Sequence, residues 1–362
     1  MDSIVRNAIR PDEAQASSKP IKLIEGPKIL VMGVGGAGNN TVNRMARVGI
    51  GGAELIAINT DKQHLTIVHD SVKKLLIGQA VTRGLGAGGF PEVGTKAAEV
   101  SRAALSQILE NTDMLFLTAG MGGGTGTGAS PVIADIAKEQ GAIVIAMVTY
   151  PFRMERARLI KADDGIERLR KVADTVVIID NNRLVELVPN LPIEQAFSVA
   201  DEVISRAVKG ITETITTPSL INLDYADVRA IMTAGGVSVI SVGDARGHGR
   251  VEEVVEDTLK NSLLDVDYTG ATGALIHITG GPDLTLGDAN SIGERLTEAI
   301  DPQATVIWGA RIMPEYEGRV EVIVIMTGVK SSHIKGPMAD ALSSGSKAEA
   351  ELDKALGIMY LR

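Results

Sequence analysis

The 362-residue sequence contains no cysteine. Disulfides, thiolate metal sites, iron–sulfur clusters and a cysteine nucleophile are therefore excluded, and a reducing compartment fits. Aromatic residues are scarce, at 3%. Basic residues are outnumbered, 36 against 45 acidic, for a net charge of −9. Nucleic acid is not an expected partner, because neutralising phosphates takes basic clusters. Long hydrophobic runs are also missing. Stretches such as 142–148 fall far short of the roughly 20 residues that cross a bilayer, so no direct membrane insertion is expected. The start of the chain, with Asp2 and Arg6 and no apolar stretch, reads as lacking a signal peptide. His64, His69, His248, His277 and His333 have no ligand spacing, so no protein-held metal is expected. Together these absences predict a soluble, cytoplasmic protein.

What is abundant is glycine: 40 residues, about 11% against a usual share of about 7%. Apolar residues make up 44%, too many for a disordered chain, and the glycines follow no collagen period. The length suits roughly two domains.

Residues 1–27 read as a polar arm, with helical spacing at Ile4, Val5, Ala8 and Ile9 that Pro11 ends. Short apolar strands then alternate with helices. Strands are predicted at 28–32, 54–59, 74–77, 114–118, 142–148 and 175–179. Helices are predicted at 41–48, 93–109, from the second glycine loop to about 138, and at 155–171. Continuous apolar strands between helices indicate an α/β fold with a parallel sheet covered on both faces. A long helix follows, about 194–214, with Ala196, Val199, Val203, Ala207, Ile211 and Ile215 on one stripe, ended by Pro218. A helix at 226–232 precedes a second, smaller α/β pattern. Its strands are expected at 237–242, 274–279, 304–312 and 320–326, its helices at 251–262 and 288–299. The boundaries are an arm 1–27, a nucleotide-binding domain 28–193, a central helix 194–217, a second domain 218–328 and a short tail 329–362.

Three glycine loops stand out. Gly33-Val34-Gly35-Gly36-Ala37-Gly38 matches G-x-G-x-x-G between a strand and a helix. Missing Cβ atoms let backbone approach a phosphate, and a helix N-terminus presents free N–H groups. Dehydrogenases share this fingerprint, and Asp61 stands where a ribose-binding acid would, so an NAD-dependent oxidoreductase is one reading. A glycine turn made only for close packing is another. The second loop, 119–128 (AGMGGGTGTG), has six glycines within nine positions and two threonines, between a buried strand and a helix. It makes a nest of backbone donors. No lysine follows its last glycine, so it is not a Walker A loop. With Gly84-Leu85-Gly86-Ala87-Gly88-Gly89, these loops suggest several phosphates held mainly by backbone.

GGGTGTG at 122–128, GGAGNN at 35–40 and Asn222-Leu223-Asp224-Tyr225-Ala226-Asp227 (N-x-D-x-x-D) resemble the tubulin/FtsZ family of polymerising GTPases. The likeness is to the FtsZ branch more than to tubulin, and it covers roughly 28–328. It implies a Rossmann-like parallel-sheet GTPase domain, a long central helix and a smaller α/β C-terminal domain, with GTP or GDP as ligand. Gly35, Gly36, Ala37, Gly38 and Asn39 would hold the phosphates, joined by Gly122, Gly123, Gly124, Thr125, Gly126 and Thr127. Asn59 and Asp61 would lie beside the nucleotide, and Gly86, Ala87 and Gly88 would sense the γ-phosphate. The Pro151-Phe152-x-x-Glu155 turn is similar to the ribose loop, with Glu155 on the sugar. Family members of bacterial type carry Arg four residues after that Glu; here position 159 is Leu, and Arg158 takes the phosphate role, with Arg156 as rival. Asn181, Phe197 and Asp201 would recognise the base. A carboxylate accepts from guanine N1–H and its exocyclic amine, a donor pair that adenine lacks. On spacing alone, Phe197 would be core and Asp201 part of a solvated face.

The 194–214 helix would span about 32 Å at ~1.5 Å per residue. If Asp201 near its start meets the base, Asp224 lies at the opposite pole, and the half-sites meet only when subunits stack head to tail into a filament. The resemblance implies that arrangement: Asp224 and Asp227 of one subunit polarise a water on the next subunit's nucleotide, Asn222 positions the loop, and Mg²⁺ is held through phosphates and water. On spacing alone both aspartates would cap the next helix. The segments ERARL (155–159) and DNNRL (180–184) and the short tail resemble archaeal members more than bacterial ones. The tail ends Gly357-Ile358-Met359-Tyr360-Leu361-Arg362, an end that reads equally as a docking peptide or as a segment packed on its own domain. The family implies a membrane-anchoring division adaptor for this tail and a division ring at midcell. A shape-regulating tubulin-like paralogue fits the same motifs.

Overall fold

The computed structural model of the chain describes residues 26–216, 224–233, 237–260, 266–267, 270–298 and 300–331. The N-terminal arm, Asn222 and the C-terminal tail beyond 331 lie outside the described residues. Seven strands run parallel: β1 (Ile29–Val34), β2 (Ala53–Asn59), β3 (Lys73–Leu76), β4 (Met114–Gly120), β5 (Ile143–Tyr150), β6 (Thr175–Asp180) and β7 (Val237–Arg246). After the short β8 (Val266–Asp267) come β9 (Gly273–Gly280), β10 (Thr305–Ile312) and β11 (Arg319–Thr327), then β12 (Lys330–Ser331). The large sheet has the order β10-β9-β11-β7-β6-β5-β4-β1-β2-β3. β11 is antiparallel to both β7 and β9.

The two α/β patterns therefore share one sheet. Their junction is thin: β6 and β7 pair only at Val176–Val237 and Val177–Ser238. The β1, β4, β5 and β6 strands are buried along most of their length, as expected for strands covered on both faces.

The principal helices are α1 (Gly35–Val48), α2 (Pro91–Val100), α3 (Arg102–Leu109), α4 (Thr125–Glu139), α5 (Arg156–Val172), α6 (Ile193–Thr216) and α7 (Tyr225–Met232). α8 (Arg250–Lys260) and α9 (Leu286–Thr297) cover the second half of the sheet. Three expectations change. The glycine turn at 33–40 is mostly helix, because α1 begins at Gly35. The single helix expected at 93–109 breaks at Ser101, whose hydroxyl accepts from the Gly78 N–H at 2.9 Å. The buried stripe of α6 is Ala200, Ile204, Ala207, Val208 and Ile211; Ala196, Val199, Val203 and Ile215 are only partly buried. α6 packs against α1 as well as the sheet, which turns its apolar face toward both.

Candidate functional site

β1 and β4 lie side by side and both end at the same edge of the sheet, where each hands over to a helix. A cleft of about 500 Å³ opens there. Ligands of open parallel sheets bind at this position. The N-termini of α1 and α4 both face it. Neither helix has a side-chain cap or an acidic residue in its first turn. The leading N–H groups and the positive ends of both helix dipoles are thus left for an anion. Gly35 makes this convergence possible. Its φ is 75°, and a Cβ there would sit 2.9 Å from the Gly126 nitrogen.

Of the expected site residues, Gly36, Ala37, Gly123, Gly124, Thr125 and Gly126 line one end of the cleft. Glu155 and Arg158 also line it and form an ion pair with each other. Glu155 also accepts from the Phe152 N–H at 3.1 Å. Arg156 does not line the cleft. Asn181, Phe197 and Asp201 line the other end. Phe197, 40% exposed, meets the Phe152 ring at 5.8 Å between centroids, so it is not a core residue. The Asn181 Oδ1 is buried without a partner, an acceptor facing a cleft that could supply a donor. Burial pushes the Asp201 carboxyl above its ordinary pKa, while a bond from Thr41 and the charge of Arg44 pull it down.

The remaining expected residues sit behind this lining. Gly38 packs α1 on β4: a Cβ would come within 2.2 Å of the Thr118 oxygen. Asn39 is fully buried; its amide donates to Gly33 O at 2.8 Å and accepts from Asn59 Nδ2 at 3.0 Å. Asn59 Oδ1 accepts from the N–H of Thr60 and of Asp61. The Asp61 carboxylate caps the short helix Lys62–Thr66, accepting from Gln63 N at 2.8 Å. Thr127 is fully buried and faces Gly165 of α5. Gly86, Ala87 and Gly88 form a loop that abuts Gly124, and Gly122 abuts Arg158. Asn40, Thr41, His64, Thr149 and Phe152 line the cleft without having been expected there. Asn40 and Phe152 belong to quoted motifs; Thr41 and His64 carried no signal.

Asp224 and Asp227 lie elsewhere. They form a reciprocal capping box at the start of α7: Asp224 Oδ1 accepts from Asp227 N at 2.7 Å, and Asp227 Oδ2 accepts from Asp224 N at 3.2 Å. The next residue anchors the loop, since Tyr225 Oη donates to the Asp113 carbonyl at 2.8 Å. Asp113 precedes β4, whereas the cleft follows Gly120 at the other end of that strand. Seven residues of strand separate the two by about 23 Å.

A family model described as the GTPase domain of the Tubulin/FtsZ family matches residues 28–189. A second, the C-terminal domain of the FtsZ family, matches 236–330. Cell division protein FtsZ 2 of Methanocaldococcus jannaschii is 63% identical over 312 residues, 85% of this chain and 82% of that protein. Cell division protein FtsZ 2 of Haloferax volcanii is 52% identical, over 96% of this chain and 88% of its own. A solved structure titled as an empty FtsZ dimer from M. jannaschii has a TM-score of 0.79 at 45% identity, covering 90% of this chain and 91% of that one.

Proposed function

The chain belongs to the FtsZ branch of the tubulin/FtsZ family, and on that premise we propose that its GTPase domain works in cell division as a head-to-tail polymer. The observation that carries this reading is the separation of the two half-sites. The cleft and the Asp224/Asp227 loop stand at opposite ends of β4, so neither can serve the other within one subunit. Stacking joins them through a heterologous contact that does not close, which makes a filament. The relatives, cell division proteins and a solved FtsZ dimer, support the same role and favour it over shape regulation.

In this reading GTP lays its phosphates across the N-termini of α1 and α4, with Thr125 beside them. Glu155 and Arg158 meet the ribose and phosphate. Asn181 and Asp201 accept from guanine, and Phe197 covers the ring. Adenine would leave the buried acceptors facing its own N1 lone pair. Among the described residues no group of three acids or histidines could hold a metal ion. A Mg²⁺ would come with the phosphate oxygens and its own waters, and it supplies charge neutralisation for the transferring phosphoryl group. Asp224 and Asp227 of the adjoining subunit orient and polarise the attacking water, with Asn222 holding that loop. Loss of the γ-phosphate then weakens the contact that the nucleotide bridges. The oxidoreductase reading loses support: the matching family model is a GTPase domain, and Asp61, whose Oδ1 caps a short helix, does not line the cleft. No described helix is long and apolar enough to cross a membrane. A cytoplasmic division ring, tethered through the C-terminal tail by a membrane-anchored adaptor, completes the proposal.

Turnover per subunit is expected to rise with protein concentration and to plateau once filaments dominate. A rate per subunit that stays flat across the assembly threshold would refute the shared site.

A further inference from the structure

The helix carrying Asp201 leans on the helix that opens the phosphate end of the cleft, and two side-chain contacts stitch the seam. Arg44 Nε and Nη2 both donate to Glu202 Oε2, at 2.9 and 2.7 Å. One turn nearer the cleft, Thr41 Oγ1 donates to Asp201 Oδ1 at 2.6 Å. Thr41 is only 2% exposed. Its hydroxyl also lies 3.2 Å from the Ala37 carbonyl. Both neighbours are acceptors and a hydroxyl has one proton, so the nearer, charged partner takes it. That commits one carboxylate oxygen to the protein and leaves the other for the cleft.

We propose that Thr41 is a positioning residue for base selection, holding the Asp201 carboxylate so that it accepts from guanine and refuses adenine. This rests on the reading that Asp201 meets the base. Guanine presents two donors on the edge concerned, and adenine presents an acceptor at N1. A carboxylate suits the first and repels the second, whereas a protonated carboxyl can donate to adenine N1. Burial already favours the protonated form of Asp201; Thr41 and Arg44 oppose it. The neighbouring acid, Glu202, is engaged by Arg44 and Arg206 and takes no part. Without the Thr41 hydroxyl the carboxyl loses both its alignment and part of what keeps it ionised.

Competition binding on the full chain, below its assembly concentration, tests this with GTP and ATP as probes. Thr41→Val should lower GTP affinity about tenfold, the scale of one hydrogen bond to a charged group, and leave ATP affinity unchanged or higher. Thr41→Ser keeps the hydroxyl and should restore the GTP-to-ATP ratio. Asp201→Asn should collapse that ratio at least as far. Equal loss of both nucleotides in Thr41→Val, or no rescue by Ser, would make the role one of packing and overturn the proposal. An unchanged ratio in Thr41→Val beside a collapsed one in Asp201→Asn would also overturn it while leaving the base reading intact. An unchanged ratio in Asp201→Asn would remove that reading and this proposal together.

Discussion

Asp224 and Asp227 have one role in the structure and a second in the proposed filament. As a capping box they occupy the first N–H groups of α7, which is the ordinary use of aspartate at that spacing. The same bonds fix both carboxylates at the exposed start of the helix, where a second molecule can reach them. The two roles separate experimentally. Asp227→Asn keeps an oxygen for the Asp224 N–H but removes the charge; it should fold, bind GTP and assemble, while turnover falls about a hundredfold or more, the usual weight of a positioned acid or base. Wild-type turnover in a folded, assembling Asp227→Asn protein would leave the pair as a cap only. At this scale the sequence is readable where a motif names a residue and silent about which way that residue faces. Asn39, Asn59 and Thr127 sit inside recognisable motifs and turn inward, each on a buried polar or packing task. Thr41 was illegible for another reason: its partner Asp201 is 160 positions away, and only the fold brings them together.

At the scale of elements, periodicity located the ten strands of the large sheet and the longer helices, missed short helices such as Lys62–Thr66 and Asn181–Leu187, and blurred where elements begin. α1 starts inside its glycine loop because a glycine at φ 75° lets the chain enter a helix at once. The break at Ser101 depends on the Gly78 N–H, a partner 23 residues away that no local pattern reveals. The α6 stripe shifted because that helix packs on α1 as well as on the sheet. It is also clipped to β9 by His277, whose ring nitrogens lie 2.9 Å from Thr214 Oγ1 and 3.1 Å from Thr279 Oγ1. Burial, aided by the nearby Arg311 charge, lowers the His277 pKa to about 4. The unfolded chain, with an ordinary histidine, binds a proton between that value and about 6.5 while the folded one does not. The shift adds nothing at neutral pH, where both states hold the ring neutral, and it destabilises the fold as pH falls through that window, by roughly 3 kcal/mol at most. Denaturant unfolding at several pH values should show a shallower decline for His277→Gln than for wild type. Identical slopes would assign the acid sensitivity to other groups.

For the whole molecule, the glycine surplus resolves into geometry. Loops at the ends of β1 and β4 bring two uncapped helix N-termini to one cleft, and a continuous sheet carries the acidic loop to the far pole. On the proposed reading, a chain with its nucleotide cleft at one end and the acidic loop at the other is incomplete alone. Mixing two defective variants tests this most directly. Asp201→Ala impairs the cleft and keeps the acidic loop; Asp227→Asn keeps the cleft and disables the loop. Each alone should hydrolyse little GTP, and an equal mixture should recover roughly a quarter of wild-type turnover, the share of interfaces that pair an intact cleft with an intact loop. A mixture no more active than its components would mean that each subunit acts on its own nucleotide, and the shared site would be wrong.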